Sequence, residues 1–325
     1  MTRFLDLERF QAARERISGR IHRTPLLSSR ALGQRIGAPV LLKCENLQKT
    51  GSFKVRGALN SVACLDQGRR GRGVVTISAG NHAQAVAWAA SAYGVRSAVV
   101  MPAAASPLKA QATRDYGGEV ILHGTAAEAF REAFRIAEER DMTFLHPFDA
   151  EPVIAGHGST GLELAEDLTG SFDVVVPVGG GGQISGVAGA LRRTPGTSAR
   201  IYGVEPEGAD AMSRSLAAGR PVTLESVDTA ADGLAAPMAG ALNLEYVREF
   251  VDDVVRVSDA EIFHAMAFIL QRAKLLVEPS GAAAVAGLLS GRIPVQPGRP
   301  VVAILSGGNV DVSVVRKALE DTAWI

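Results

Sequence analysis

The chain has 325 residues, 34 Lys+Arg against 34 Asp+Glu, and 47% hydrophobic side chains. A formal net charge of zero gives no support to nucleic acid or an anionic membrane surface as the main partner. Two cysteines, Cys44 and Cys64, are too few for a disulfide framework and point to a reduced compartment.

At the N-terminus, Leu7, Phe10, Ala13 and Ile17 fall at helical spacing and predict an amphipathic helix. The opening "MTRFLDLERF" carries acids early and has no apolar core, so no signal peptide is expected. No apolar run approaches a membrane span, and a cytoplasmic protein without a membrane partner is expected. Strands and helices then alternate: strand 40–47, helix 54–66, strand 74–79, helix 81–94, strand 97–102, helix 106–116, strand 119–124 and helix 125–140. Strand 143–148, helix 151–168, strand 174–179, helix 183–193 and strand 200–206 with a helix after it continue the series. Helices from Ser258 and Ser280 and a strand at 301–308 close it, while 220–250 shows only weak periodicity. Short β-rich runs separated by helices predict parallel sheets of βαβ units. There are too many units for one small sheet, so two parallel-sheet α/β domains are expected, with a discontinuous boundary because no linker is evident.

Several chemistries fail on spacing. "VGGGGQISG" lacks the G-x-G-x-x-G of a dinucleotide site, and neither a P-loop nor a G-x-S-x-G elbow is present. The six histidines show no zinc-ligand spacing. What remains is a set of strand-to-helix junctions. Gly179, Gly180, Gly181 and Gly182 lie between a strand and a helix, where uncovered N–H groups and the helix dipole suit a phosphate. "SAGNH" places Ser78, Asn81 and His82 where a carboxylate could be held, although Asn81 read alone is a helix cap. "LSGGN" ends a strand in Ser306, read alone as a ligand contact or a Ser-Gly turn. In "KTGSFKVRGALN", Lys54 follows Phe53 at a helix start, where dipole and burial both lower a lysine pKa. A neutral lysine amine forms Schiff bases. Pyridoxal 5′-phosphate, an aldehyde that carries a phosphate, would join the lysine to the glycine loop.

Taken together, "KTGSFKVRGALN", "SAGNHAQ", "PVGGGGQISG" and "SGGN" resemble the fold-type II pyridoxal-phosphate enzymes, closest to the serine/threonine dehydratase and serine racemase branch. The likeness runs from "RTPLLSS" near residue 23 to residue 309, in the family's order. It implies a fold like the tryptophan synthase β-subunit, with a large cofactor domain over 1–72 and 151–325 and a small mobile domain over 73–150. It also implies a homo-oligomer, dimer or tetramer, acting on a small amino acid. By the same resemblance Lys54 would carry the cofactor and later take the Cα proton. Phe53 would pack beside the ring, and Asn81 would bond the ring oxygen. Gly179 to Gly182 would bind the phosphate, Ser306 would face the pyridine nitrogen, and Ser78, Asn81 and His82 would bind the substrate carboxylate.

Two departures from the family pattern sharpen the expectation. Serine racemases of this branch carry a second serine in the loop where this chain has Ala79, which cannot donate a proton, so dehydration is favoured over racemisation. Related enzymes often bind a divalent cation after a "GVEP" strand. Here Glu205 and Ala209 are present, but Ala211 stands at the usual Asp position, and no metal is expected. The chain stops after the catalytic region, so feedback by isoleucine through an added C-terminal domain is not expected. The leading expectation is β-elimination from L-threonine or L-serine to a 2-oxo acid and ammonia. Serine racemisation, dehydration of 3-hydroxyaspartate, and a non-catalytic amino-acid-binding relative are the alternatives, with β-replacement behind them.

Overall fold

The computed structural model describes residues 4–320, so the outer ends of the expected large domain, 1–3 and 321–325, lie outside the described residues. Helix α1 (Leu7–Ile17) is capped by the Asp6 carboxylate on Arg9 N–H and buries Phe10, Ala13 and Ile17, as its spacing requires. Then come β1 (Leu26–Ser28), α2 (Arg30–Ile36), β2 (Val40–Lys43), α3 (Lys54–Ala63) and α4 (Gln67–Arg72). Four parallel βα units follow: β3 (Val74–Ile77), α5 (Asn81–Ala92), β4 (Ser97–Met101), α6 (Pro107–Asp115), β5 (Glu119–Leu122), α7 (Ala126–Glu139), β6 (Thr143–Phe144) and α8 (Glu151–Asp167). The chain continues with β7 (Gly170–Pro177), α9 (Gly182–Leu191), β8 (Thr197–Pro206), α10 (Ala211–Ala218), α11 (Ala241–Phe250) and β9 (Asp253–Val257). It ends in α12 (Asp259–Phe268), α13 (Pro279–Leu289), β10 (Val301–Ile304) and α14 (Val312–Glu320).

The strands form two sheets, one of six strands in the order β1-β2-β10-β7-β8-β9 and one of four in the order β5-β4-β3-β6. All pairings are parallel except β1 with β2. Strand β7 shows why its sequence is a continuous valine run. Val174 and Val176 enter the core under α9, while Val175 enters the core under α13, so both faces are buried. Helix α3 has a different allegiance. Val55, Leu59 and Val62 share a core with Val74, Val86, Ala89 and Leu145, so the helix that begins at Lys54 packs against α5, which covers the four-stranded sheet, as well as against α8.

The structure shortens two expected strands. The run 40–47 pairs only through Lys43, then turns at Cys44 into a 3-10 turn over Glu45–Leu47, because Asn46 N–H reaches across to Leu305 O at 2.9 Å. The run 143–148 pairs as Thr143–Phe144, and the N–H groups of Phe148 and Asp149 turn back onto His146 Nδ1 at 3.3 and 2.9 Å. Within 220–250, α11 gave no local start signal because its cap comes from elsewhere. Asp149 accepts from Ala241, Leu242 and Asn243 N–H at 2.9, 3.1 and 3.2 Å.

Candidate active site

The four sequence motifs meet at the carboxyl ends of the parallel strands, where open α/β sheets place ligands. Two loops are stitched together at the centre. Phe53 N–H donates to Ser306 O at 3.0 Å, Gly308 N–H to Gly51 O at 2.9 Å, and Ser52 pairs with Gly307 as an antiparallel bridge. Lys54, the first residue of α3, is thereby fixed next to the end of β10. Thr50, just before it, is held at φ +58, a left-handed conformation uncommon outside glycine, while Asn309 Nδ2 donates to its carbonyl at 2.7 Å.

Lys54 Nζ donates to Pro147 O at 3.2 Å and lies 5.2 Å from the Phe53 ring centre. Burial brings its pKa down to about 8, against the opposing pull of Glu278. The lowered pKa expected from sequence is present, and burial is its main cause. Phe53 is backed by His157, with ring centres 4.8 Å apart. Burial, with Lys54 next, pushes the His157 pKa well below its usual value, so this imidazole is neutral.

Each of the four glycines answers to a neighbour. A Cβ on Gly180 would meet the Phe148 ring at 2.5 Å, and one on Gly182 would meet Phe148 O at 2.8 Å. Gly181 sits at φ +94 as the N-cap of α9, and a Cβ there would meet Met212 Cε at 2.6 Å. One on Gly179 would come within 3.1 Å of Leu234 Cα. The loop is buttressed by Asn243, whose Nδ2 donates to Gly180 O at 2.8 Å and Phe148 O at 3.1 Å. The first N–H groups of α9 lack intrahelical partners, as in any helix, and form a ready anion seat.

On the four-stranded side, Ser78 Oγ accepts from Gly80 N–H at 3.1 Å and holds the loop, and Ala79 lies within it. Gly80, not Asn81, is the N-cap of α5. Asn81 instead reaches across the cleft, donating from Nδ2 to Glu278 Oε1 at 2.6 Å and accepting at Oδ1 from Asn309 Nδ2 at 2.8 Å. The His82 ring is not presented to a substrate carboxylate. It is buried, bonds Thr76 Oγ1 through Nε2 at 3.1 Å, and is held neutral by burial and by Lys54. The backbone N–H groups at the start of α5 are what this turn offers an anion.

The sequence placed a helix from Ser280, as α13 confirms, but gave no role to the side chains at its start. Glu278 is buried, and burial together with Asp232 raises its pKa to about 8. Ser306 Oγ donates to Ser280 O at 3.2 Å, while Ser280 Oγ is itself buried without a partner. The available signal was an acid directly before a Pro-Ser pair opening an all-apolar helix.

The acids after β8 are engaged within the protein. Glu205 accepts from Met212 N–H at 2.8 Å, Ser213 N–H at 2.8 Å and Ser213 Oγ at 2.7 Å, so its carboxylate caps α10. Burial pushes its pKa up to about 7 even so. Asp210 is taken by Arg214 at 2.7 Å and Arg256 at 3.2 Å, and Ala211 supplies no ligand. No group of three or more metal-ligating side chains occurs among the described residues.

The fit to pyridoxal phosphate rests on this geometry. A lysine amine with a lowered pKa, a glycine loop whose N–H groups open α9, and buried polar atoms without partners at Ser52 Oγ, Ser280 Oγ and the Gln183 amide supply the donor set such a group needs. The family described as Pyridoxal-phosphate dependent enzyme matches residues 17–307. An L-threonine ammonia-lyase of Geobacter sulfurreducens is 43% identical over 311 residues, covering 95% of this chain and 77% of that protein. An L-threonine ammonia-lyase of Thermotoga maritima is 43% identical over 316 residues, covering 97% and 78%. The structure of maize serine racemase superposes with a TM-score of 0.90 at 38% identity, covering 98% of this chain and 97% of that one.

Proposed function

Because the chain belongs to the pyridoxal-phosphate dependent enzymes, we propose that it is a threonine/serine dehydratase, releasing a 2-oxo acid and ammonia from a β-hydroxy amino acid. The observation that carries this reading is the Lys54 amine, with its pKa near 8, set among the glycine loop, Ser306 and the Ser78–His82 turn. When bound, the cofactor supplies an aldehyde for that amine and an electron sink for the substrate Cα. Lys54 Nζ, as a neutral amine, would hold the cofactor and would take the Cα proton. Gly179 to Gly182 and the start of α9 hold the phosphate, and the neutral Ser306 hydroxyl serves the ring nitrogen without supplying a charge. Phe53, backed by His157, would pack beside the ring. Asn81, Ser78 and the N–H groups opening α5 hold the ring oxygen and the substrate carboxylate. Residues 73–150 are the part proposed to close on the substrate.

Similarity to a serine racemase supports a second reading, D-serine formation. Racemisation needs a proton donor on the face of Cα opposite Lys54, and Ala79 provides none. Incubation with L-threonine, L-serine and 3-hydroxyaspartate, followed by 2-oxo acid measurement and chiral chromatography of serine, separates the two. Abundant D-serine would overturn the dehydratase reading. Borohydride reduction with peptide mapping should place the cofactor on Lys54. A homo-oligomer in the cytoplasm belongs to the same reading and is checked by light scattering and cell fractionation. Among the described residues no helix is long and apolar enough to cross a membrane.

A further inference from the structure

The turn Asp232–Leu234 was no part of the sequence motifs, yet it is wedged into the centre of the site. On one side Leu234 packs against Gly179 of the glycine loop, within 3.1 Å of where a Cβ would stand. On the other, a Cβ on Gly233 would lie 2.7 Å from Ser280 Oγ and 3.7 Å from Glu278 Oε1. Ser280 Oγ is buried, has no partner, and points at this turn. Asp232 therefore stands at the cleft, on the six-stranded side. Facing it from α6 on the four-stranded side is Lys109, and the two form an ion pair across the cleft.

Two cations act on Glu278: Lys109 and Lys54. Lys54 is assigned to chemistry as a neutral amine. Lys109 is then the cation a second substrate carboxylate would need, and Asp232 already occupies it, with Asp311 adding to the negative field. A β-hydroxyl can donate to a carboxylate oxygen, whereas a β-carboxylate can only accept and meets Asp232 as a like charge. We propose that Asp232, by holding Lys109 across the cleft, restricts the substrate to neutral β-hydroxy amino acids and rejects those with a second carboxylate, such as 3-hydroxyaspartate. This rests on the dehydratase reading and names its substrate class.

The test is Asp232→Asn, with Asp232→Ala as a parallel variant at a side chain that is 56% exposed. Calorimetric binding of L-aspartate and L-alanine to the holoenzyme is compared, since neither carries a leaving group. Freeing Lys109 should tighten L-aspartate by about tenfold relative to L-alanine, and Lys109→Met added to either variant should abolish the gain. In turnover, the kcat/KM ratio of 3-hydroxyaspartate to L-threonine should rise in parallel. An unchanged binding ratio in both variants, or a wild-type enzyme that binds L-aspartate as well as the variants do, overturns the proposal. If wild-type enzyme releases no 2-oxo acid from any hydroxylated amino acid, the dehydratase reading fails, while the binding ratio still decides the role of Asp232.

Discussion

Lys54 and Arg56 stand two residues apart at the start of one helix, and their surroundings are opposite. Arg56 is completely buried and completely answered. Its Nε and Nη2 each donate to Glu45 at 2.8 Å, its Nη1 and Nη2 donate to Glu163 at 2.6 and 3.0 Å, and Nη1 reaches Ser159 Oγ at 3.0 Å. Lys43 adds a second cation, 2.6 Å from Glu163, so two positive and two negative charges balance inside the protein. Burial opposes the charge on Arg56, yet Glu45 and Glu163 raise its pKa above the usual value, and burial opposes that of Glu45, yet Arg56 lowers its pKa. Lys54 has one carbonyl as its hydrogen-bond acceptor and a distant carboxyl, and burial wins. A buried cation given full partners becomes architecture, and one left under-partnered becomes a base.

The largest test of this contrast is Lys54→Ala. Turnover should fall by at least about a thousandfold, with the urea midpoint unchanged or higher, since a poorly compensated amine has left the interior. Arg56→Ala should do the reverse. It strands two buried carboxylates and should cost roughly 3–5 kcal/mol of stability, read from urea denaturation, while each molecule that remains folded keeps its turnover. Equal loss of activity at equal stability in both variants would erase the distinction. A smaller effect sharpens it: capture of pyridoxal phosphate by apoenzyme needs the free amine, whose fraction grows as pH rises through about 8. The capture rate should climb about tenfold between pH 7 and pH 9, and a rate flat over that window would mean that Lys54 is not the titrating group. The smallest effect is expected at Glu205, whose oxygens are spent on α10. A chelator followed by added magnesium or calcium should leave both turnover and melting temperature unchanged.

Much of the fold was legible because periodicity is a local property. The helices with apolar stripes, such as α1, and the buried valine strand β7 declared themselves in the sequence. Features set by distant partners did not. Helix α11 is capped from Asp149, the turn at Cys44 follows a bond to Leu305, and the Arg56 cluster draws on residues from four separate segments. The same division runs through the site. Lys54, the glycine loop and Ser306 announce themselves by motif. Glu278, Asp232 and Lys109 acquire meaning only when the two sheets face one another, and the His82 ring, legible as a ligand, turns inward to Thr76. Family resemblance supplied the roles of the motif residues, and it was silent on these cross-cleft pairs.

The run Gly179 to Gly182 constrains how this protein can change. Its four positions are obstructed by different atoms: the backbone of Leu234, the ring of Phe148, Met212 with Asn243, and the backbone of Phe148. A side chain introduced at one position therefore needs its own compensating change, and relief granted to one glycine does nothing for the next. Replacing all four glycines would require a separate compensating change at each position. New substrate ranges have to be sought elsewhere in the cleft, among side chains such as Asp232 and Lys109 that a single replacement can alter.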